Sequence, residues 1–371
     1  MNFDYSEEQK FLKEEVRRFL AAECPRSVPR RVADDERLSF DEGLWSSVAN
    51  MGWTGAVIPE KWGGSGLGYV ELCAIAEELG RVIAPIPFAS TVYIFAEAVL
   101  ALGSEAQQDA LLPAIASGKV IGCLADSEGP GAGGAAQVQT RAAQGRLSGV
   151  KIPVVYGDVA THAIVTALED GKPGLFLVDL CATATARKLL PTLDPTRGAA
   201  RLEFSGAPCE RLGPAGDSEA SLDKILDRAA VLMSFEQVGG ADRCLEVAKI
   251  YALERHAFGR AIGSYQAIKH KLADMFVKNE LARSSAYYGA WALNDSDEDL
   301  AVAAAAARIA GTSAYDFAAK ENLHVHGGIG FTWEMDCHLH LRRARQLALA
   351  LGGPPFWRER LVRALERRSM N

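Results

Sequence analysis

The stretch "YALERHAFGRAIGSYQAIKHKLADM" (residues 251–275) joins the end of one segment with strong helical periodicity to the start of another. The stripe before it consists of Val238, Ala241, Leu245, Ala248 and Ala252. The mostly apolar stripe that continues from it consists of Ile268, Leu272, Met275, Asn279, Ala282 and Ala286. Such three- and four-residue spacing is typical of helices that bury one face. Long helices joined by a short link predict a four-helix bundle, which we place at residues 213–371.

The rest of the chain divides into a helical part and a β-rich part. Residues 1–118 predict a helical domain, in which Ser6 and Gln9 have the spacing of a capping box. Residues 119–212 contain short β-rich runs separated by Gly, Asp and Pro, which predict an antiparallel β sheet or small barrel. The predicted fold class is therefore mainly α with a β domain: an N-terminal helical domain, a middle antiparallel β barrel or sheet, and a C-terminal four-helix bundle.

Composition narrows the classes of partner. With 40 basic and 47 acidic residues, the net charge of -7 argues against nucleic acid as a partner. The chain has no apolar run of the roughly 20 residues that a membrane helix needs, so we expect no membrane span and a cytoplasmic location. The seven cysteines are scattered without a CxxC pair, which favours reduced thiols over a disulfide framework or a zinc site. We therefore expect a small-molecule partner.

The histidines near the end of the chain do not have metal-ligand spacing. They are His324, His326, His338 and His340. One residue separates His338 from His340, which would place them on different sides of a helix. No Cys or carboxylate cluster joins them at the spacing of ligands, so we expect no metal site.

Three stretches together carry a resemblance to a known family. They are "IPEKWGGSGLGYVELCAIAEELGR" (58–81), "YALERHAFGRAIGSYQAIKHKLADM" (251–275) and "HVHGGIGFTWE" (324–334). Each motif is weak alone, but the three in this order and spacing are specific. The chain resembles the acyl-CoA dehydrogenases along essentially its whole length.

The resemblance implies an oxidoreductase with FAD as cofactor. Members of this family convert an acyl-CoA thioester to the 2,3-enoyl-CoA: a carboxylate takes the α-proton, and the β-hydrogen leaves as hydride to FAD. An electron-transfer flavoprotein then collects the electrons. The α-proton is weakly acidic, so its removal needs a desolvated carboxylate and a polarised carbonyl oxygen. The segment 327–334 also resembles members that act on bulky thioesters such as steroid-derived acids, which points to lipid or steroid catabolism.

One half of the FAD site is implied to face a neighbouring subunit. The positions that match the family's cofactor-binding residues are Arg255, Phe258, Gln266, His324, Gly327 and Gly328. A guanidinium binds phosphate through two hydrogen bonds, and glycines let backbone amides approach an anion. His324 stands where the family usually has Gln. Taken singly, these residues are more typical of a solvated helix surface or a helix end than of a cofactor site.

The other half of the FAD site, which covers the chain's own flavin ring, departs from the family pattern. Relatives use a Thr after a short strand and a Trp-x-Thr segment there. The matching positions in this chain hold Ala125, Pro153 and Val155. None of these side chains can donate a hydrogen bond. We therefore expect this half to be missing.

Both positions that hold the catalytic Glu in this family are apolar here. Counting forward from Gly327 without gaps reaches Leu351, and counting back from Arg255 reaches Ala229 and Ala230. Neither leucine nor alanine can accept a proton. The sequence therefore predicts no catalytic base at the usual positions.

Glu236 is the first candidate for a base that has moved. It lies seven residues beyond Ala229, about two helical turns along the same helix. The alternative is a structural carboxylate. Asp227 is interpreted instead as an acid in the first turn of a helix, and Glu334 resembles an acid that ordinary members also carry.

Three hypotheses follow. In the first, the chain is the base-lacking subunit of an α2β2 heterotetramer whose paralogous acyl-CoA dehydrogenase subunit brings the Glu. In the second, it is a self-sufficient homotetramer with a relocated base. In the third, it is a flavin-free structural paralogue. The retained half-site beside the missing one favours the first.

Overall fold

The computed structural model describes residues 5–130, 138–181, 185–216 and 218–370. Within these ranges the chain is mainly helical. The α-helices are α1 (Glu7–Glu23), α2 (Ser27–Asp34), α3 (Glu42–Asn50), α4 (Tyr69–Arg81), α5 (Glu97–Leu102), α6 (Glu105–Ala116), α7 (Ser218–Glu254), α8 (Gln266–Asp295), α9 (Leu300–His326), α10 (Cys337–Leu349) and α11 (Pro354–Met370). A π-helical segment, Ala89–Ala96, leads directly into α5. None of the described helices is long and apolar enough to cross a membrane.

The first helix begins as the sequence predicts. The Ser6 hydroxyl accepts the backbone N–H of Gln9 at 3.2 Å, and the Gln9 side chain accepts the backbone N–H of Ser6 at 2.9 Å. This reciprocal pair satisfies two donors that the first turn of a helix leaves open. Val16 and Leu20, on the apolar stripe of α1, are fully buried.

The β-rich segment forms one sheet. Its strands are β1 (Gly122–Ala125), β2 (Arg141–Ala143), β3 (Arg146–Val155), β4 (His162–Glu169), β5 (Lys172–Asp179), β6 (Thr185–Leu190), β7 (Ala199–Pro208) and β8 (Glu210–Leu212). The order across the sheet is β6-β7-β3-β2-β4-β5-β8, and β1 pairs with β4. Buried side chains run along the centres of β4 and β5, which explains their nearly continuous apolar sequences.

The fold class is confirmed, but the expected antiparallel pairing of the β domain is wrong in part, and of the two predicted forms, sheet or barrel, the chain forms a sheet. The sheet is open among the described residues and does not close into a barrel. It is also mixed, because β1 runs parallel to β4, as in the pairing of Cys123 with Ala163. Parallel neighbours need a crossover between them, and here the β2–β3 hairpin lies in that connection.

Contacts within the chain group it into two units. The first, which we call the bundle unit, combines the described parts of residues 1–30, 69–84 and 230–371. The second, the sheet unit, combines residues 31–68 with the described parts of 85–229. The division of the chain into domains at 1–118, 119–212 and 213–371 stays a prediction.

Within the bundle unit, α4 and α7 cross at two glycines. A Cβ added to Gly239 would lie 1.8 Å from the carbonyl oxygen of Glu77, and one added to Gly80 would lie 1.9 Å from that of Glu236. No side chain fits at either position, so the two backbones are in direct contact. This crossing fixes the positions of the acids that precede both glycines.

Candidate functional site

A small hairpin follows α7 and carries two of the predicted cofactor-binding residues. Strands β9 (His256–Ala257) and β10 (Arg260–Ala261) flank Phe258 and Gly259. Phe258 has φ +54° and Gly259 has φ +81°. Two consecutive residues with positive φ form the kind of turn that matches the twist of a hairpin. The turn holds the Phe258 ring out in solvent, 97% exposed, and Arg255 at the base of the hairpin is also exposed.

The hairpin is attached to the start of α8. The Tyr265 hydroxyl donates to the carbonyl oxygen of Ala257 at 3.0 Å, and the Arg260 guanidinium lies 4.1 Å from the centre of the Tyr265 ring. Gln266, the next residue, begins α8 and is exposed. The first N–H groups of a helix have no partner inside it and favour a negative group in front of them. Arg255, Phe258 and Gln266 therefore share one end of the bundle unit.

The end of α9 joins the same end of the bundle unit. The His326 ring stacks on that of Tyr251 in α7, with centres 4.1 Å apart. Its Nδ1 lies 2.8 Å from the carbonyl oxygen of Asn322, and burial lowers the pKa of His326. Because Tyr251 is one turn before Arg255 and His326 directly precedes Gly327, the stack brings Arg255 and the glycine pair together.

The glycine pair leaves open space in front of its backbone. Gly327 has φ +64°, which favours glycine, and a Cβ added to Gly327 or Gly328 would meet no described atom within 4 Å. His324, one turn earlier, is exposed, with Nδ1 3.4 Å from a carboxylate oxygen of Glu321. All six predicted cofactor-binding residues are exposed, and the Tyr251–His326 stack joins Arg255 and the glycine pair in one surface. This surface has the donors that a dinucleotide phosphate needs.

In the sheet unit, the segment after β1 lies beside β3. The backbone N–H of Ile152 donates to the carbonyl oxygen of Ser127 at 2.8 Å. Ala125 is fully buried at the end of β1, Pro153 is exposed and Val155 is half-buried. The two segments expected to cover a flavin are therefore neighbours, but the three matched side chains have no donor.

Sequence reasoning missed Ser127 and a buried ion pair next to it. Ser127 is the first hydroxyl residue after β1, and its Oγ donates to the carbonyl oxygen of Gly129 at 2.9 Å. Lys151 is fully buried, with Nζ 2.7 Å from Glu128 Oε1 and 2.8 Å from Thr166 Oγ1. The family pattern is a hydroxyl residue after a short strand. Because β1 ends at Ala125, a search for the next hydroxyl residue would have found Ser127.

Charge and burial compete at the Lys151–Glu128 pair. Burial lowers the pKa of Lys151, and its bond to Glu128 opposes this effect. Burial also acts to raise the pKa of Glu128, but the bonds from Lys151 and from the Thr140 amide outweigh it and hold that pKa below its usual value. The carboxylate also accepts the backbone N–H of Gln139 at 2.8 Å. Glu128 thus connects the backbone at Gln139 and Thr140 to Lys151 of β3.

The two usual positions for a base are apolar in the structure as well. Ala229 and Ala230 lie inside α7 and are fully buried. Leu351 lies in the turn after α10, where it has φ +59°. Arg308 of α9, itself fully buried, binds the carbonyl oxygens at the end of α10, including that of Ala350 at 2.7 Å. This turn therefore has a backbone held by Arg308 and an aliphatic side chain at a position where the resemblance predicts a Glu.

Glu236, the candidate for a relocated base, is only 3% exposed. Its Oε1 lies 3.3 Å from Nη1 of Arg343, a guanidinium that is itself 1% exposed. Asp227 lies ten residues into α7, which begins at Ser218, so its interpretation as a first-turn acid is wrong. The first turn of this helix is formed by residues 218–221, well before Asp227.

The histidines take separate roles. His338 is buried and stacks on Trp333 with ring centres 4.4 Å apart. His340 is buried with Nδ1 2.9 Å from the Tyr315 hydroxyl. In the part of the chain that the structure describes, no three His, Cys, Asp or Glu side chains are grouped as a metal site. The expectation of no metal stays a prediction.

Comparison with known proteins identifies the family. A model of the acyl-CoA dehydrogenase N-terminal domain matches residues 6–119, and a model of the acyl-CoA dehydrogenase C-terminal domain matches residues 220–365. This chain belongs to the acyl-CoA dehydrogenase family. The family consists of FAD-dependent oxidoreductases, and FAD is the cofactor of this chain.

Similar proteins cover nearly the whole chain. The acyl-CoA dehydrogenase IpdE2 of Mycobacterium tuberculosis is 34% identical over 353 residues, which are 94% of this chain and 94% of that protein. A variant of the steroid acyl-CoA dehydrogenase Tcur3481-Tcur3483 is 30% identical with a TM-score of 0.88, covering 98% of this chain and 99% of the other. The ChsE4-ChsE5 complex from Mycobacterium tuberculosis is 28% identical with a TM-score of 0.88, covering 99% of each chain.

Proposed function

We propose that this chain is the base-lacking subunit of an α2β2 acyl-CoA dehydrogenase. A paralogous acyl-CoA dehydrogenase subunit would bring the catalytic Glu. The observation that carries the proposal is the contrast between two half-sites of one chain. Arg255, Phe258 and the Gly327–Gly328 turn are exposed together, whereas Ala230 and Leu351 leave no carboxylate where a base belongs.

The reaction we assign is the conversion of an acyl-CoA thioester to the 2,3-enoyl-CoA. When bound, FAD supplies the acceptor for the β-hydride. A base for the α-proton must be positioned and desolvated, and its pKa must suit the task. This chain offers no free carboxylate at the family positions, so the proton transfer falls to the partner.

This chain's contribution would be to bind the partner's FAD. Arg255 can pair with a phosphate through two N–H groups, and Gln266 and His324 add side-chain donors. The open backbone at Gly327 and Gly328 allows amides to approach the same anion closely. Phe258, fully extended into solvent, supplies an apolar surface for the adenine region. An exposed set of this kind fits a group that lies between two subunits.

The geometry of Glu236 favours this assignment over a homotetramer with a relocated base. A base must be free to take a proton, but Glu236 is bound to a buried guanidinium. A proton taken up by Glu236 would neutralise its carboxylate and leave the buried Arg343 guanidinium without a counter-charge, which is costly. We assign Glu236 a structural role.

Substrate and partners follow from the same assignment. The relatives include a protein described as a steroid acyl-CoA dehydrogenase and a complex of two different chains, ChsE4 and ChsE5. We propose a bulky, steroid-derived acyl-CoA as substrate and an electron-transfer flavoprotein as electron acceptor. None of the seven cysteines, all within the described residues, forms a disulfide, which suits the reducing cytoplasm that we propose as the location.

The test is to purify the chain alone and with the paralogous acyl-CoA dehydrogenase encoded beside it. We expect one FAD per two chains and turnover only in the joint complex. One FAD per chain together with turnover by the chain alone would contradict the proposal. If the chain forms no complex, or if the complex contains no FAD, the result would favour the flavin-free structural paralogue instead.

A matched pair of variants separates this chain's role in FAD binding from its role in assembly. Arg255→Gln in this chain, with an unchanged partner, is expected to release FAD from a complex that still assembles. Lys249→Gln removes a charge from an exposed position of α7 about two turns earlier and should retain FAD. Equal FAD content in the two variants would remove Arg255 from the site.

A further inference from the structure

The bundle unit contains a cavity of about 440 Å³. It lies between the end of α1, the start of α2, the end of α4, the second half of α7, the end of α9 and the start of α10. The cavity is not lined by any of the residues that we assign to FAD or consider for the base. Its volume is within the range of about 300–1,000 Å³ that small-molecule sites occupy.

The lining has an excess of positive charge. Four arginines line the cavity, Arg17, Arg26, Arg81 and Arg243, against three carboxylates, Glu78, Glu246 and Asp336. Each of these carboxylates already has a partner: Arg17 binds Glu78 at 2.7 Å, Arg243 binds Glu246 at 2.8 Å and Arg30 binds Asp336 at 2.8 Å. Arg26 is exposed and has no ion pair among the described residues. One guanidinium is therefore left for an external anion.

The pKa of a buried histidine is shifted by the same positive charges. Burial and the positive charges of Arg243, Arg343, Arg26 and Arg81 lower the pKa of His340 to about 3. His340 lines the cavity and stays neutral at neutral pH, so it adds no charge to the lining. A cationic ligand would meet the same repulsion.

The cavity also contains a buried side-chain amide whose one polar partner in the described part of the chain, the Cys337 thiol, is a weak one. Asn322 lines it and is 1% exposed, yet neither its amide oxygen nor its amide nitrogen has a nitrogen or oxygen partner among the described residues. Buried amides that lack a nitrogen or oxygen partner are rare, because each costs free energy. A ligand atom that bonds to Asn322 would recover that cost.

The rest of the lining is apolar. It includes Val82, Ile83, Val247 and Leu339, together with Pro25 between α1 and α2 and Pro29 in α2. Apolar walls with a few placed polar groups are typical of sites for small organic molecules. Inorganic phosphate alone would leave these walls uncovered.

We propose that this cavity binds an amphipathic organic carboxylate. Its anionic group pairs with Arg26, its body covers the apolar wall, and Asn322 bonds to it inside the cavity. Arginine suits this role because a carboxylate matches its paired N–H groups. The site lies on this chain alone and does not depend on the assignment of a partner subunit.

The probe is octanoate, titrated calorimetrically into the purified full-length chain, with octanol and acetate as controls. Octanol has the same body without the charge, and acetate has the charge without the body. We expect one octanoate per chain, at least ten-fold weaker binding of octanol and no detectable binding of acetate. Equal affinity for octanol, or no octanoate binding, would overturn the proposal.

Two matched pairs of variants locate the binding. Ala21 and Ala22 are exposed neighbours on α1, but only Ala21 lines the cavity. Ala21→Trp should therefore abolish octanoate binding and Ala22→Trp should not, with both melting like the wild type. Arg26→Gln should weaken binding at least ten-fold, whereas Arg18→Gln, at an arginine outside the cavity, should leave it unchanged. Octanoate binding that survives Ala21→Trp or Arg26→Gln would place the ligand elsewhere.

Discussion

Arg343 holds Glu236 in a buried ion pair, with Nη1 of the arginine 3.3 Å from Oε1 of the carboxylate. A second group, the carbonyl oxygen of Ala84, lies 3.5 Å from Nη2 of the same guanidinium. The pair therefore links α7 and α10 to the residues that follow α4. A carboxylate in this position balances the charge of the buried guanidinium and so stabilises the bundle unit.

Glu236→Gln is expected to destabilise the chain without changing chemistry. It leaves Arg343 buried without its counter-charge, which costs about 3 kcal/mol of unfolding free energy. Turnover per folded complex, and exchange of the substrate's α-proton, should equal those of the wild type. Glu334→Gln, at an exposed acid, is the control and should change neither quantity. Loss of α-proton exchange in a folded Glu236→Gln complex would make Glu236 the base.

Leu351→Glu tests whether a missing base is the only defect. The variant puts a carboxylate at a usual position, but Pro153 and Val155 still give a flavin ring no side-chain donor. We therefore expect a folded chain that shows no acyl-CoA oxidation when purified alone, measured with an artificial electron acceptor. Turnover by the lone variant would show that this chain binds its own flavin productively. Leu349→Glu, at an exposed position two residues earlier, is the matched control.

Gly239→Ala should break the crossing of α4 and α7. The new methyl group would lie 1.8 Å from the Glu77 carbonyl oxygen. This is a backbone atom of α4, so the clash cannot be relieved by a change of side-chain rotamer. We expect a loss of about 3 kcal/mol in the unfolding free energy, measured by urea denaturation. Gly43→Ala, in α3, meets only the Asp41 side chain, at 3.3 Å, and is expected to be neutral or slightly stabilising. Equal stability of both variants would contradict the close contact.

Glu77 makes the stability of the bundle unit depend on pH. Burial acts to raise the pKa of Glu77, but the charges of Lys13 and Arg283 outweigh burial and lower it below the usual 4.5. Because the folded chain holds this proton less tightly than the unfolded chain, the contribution is complete above about pH 5.5 and is lost as the pH falls through the lowered pKa.

Glu77→Gln removes that dependence. The wild type should exceed the variant in unfolding free energy at pH 7, and the difference should shrink steadily as the pH is lowered from about 5.5 towards 3. Urea denaturation at a series of pH values measures it. Glu8→Gln, at an exposed acid of the same α1 that carries Lys13, should follow the wild type. A difference that stays constant with pH would contradict the lowered pKa.

The local features of the fold could be predicted from the sequence because they depend on near neighbours in the chain. The capping box at Ser6, the strand at 146–155 and the stripes of α7 and α8 are set by residues a few positions apart. The spacing of Arg255, Phe258 and Gln266 was equally readable, because one hairpin and one helix start hold them. Motif and family therefore followed from the sequence alone.

Other features were decided only in the tertiary structure, because they join residues far apart in the chain. The sequence marks β1 and β4 as strands, but their parallel pairing depends on the path of the chain between them. Glu236 reads as a lone acid until Arg343, more than 100 residues later, is found beside it. The Tyr251–His326 stack likewise brings Arg255 to the glycine pair. Periodicity determines which face of a helix is buried, whereas packing of distant elements determines which partner covers that face and what charge a buried acid meets.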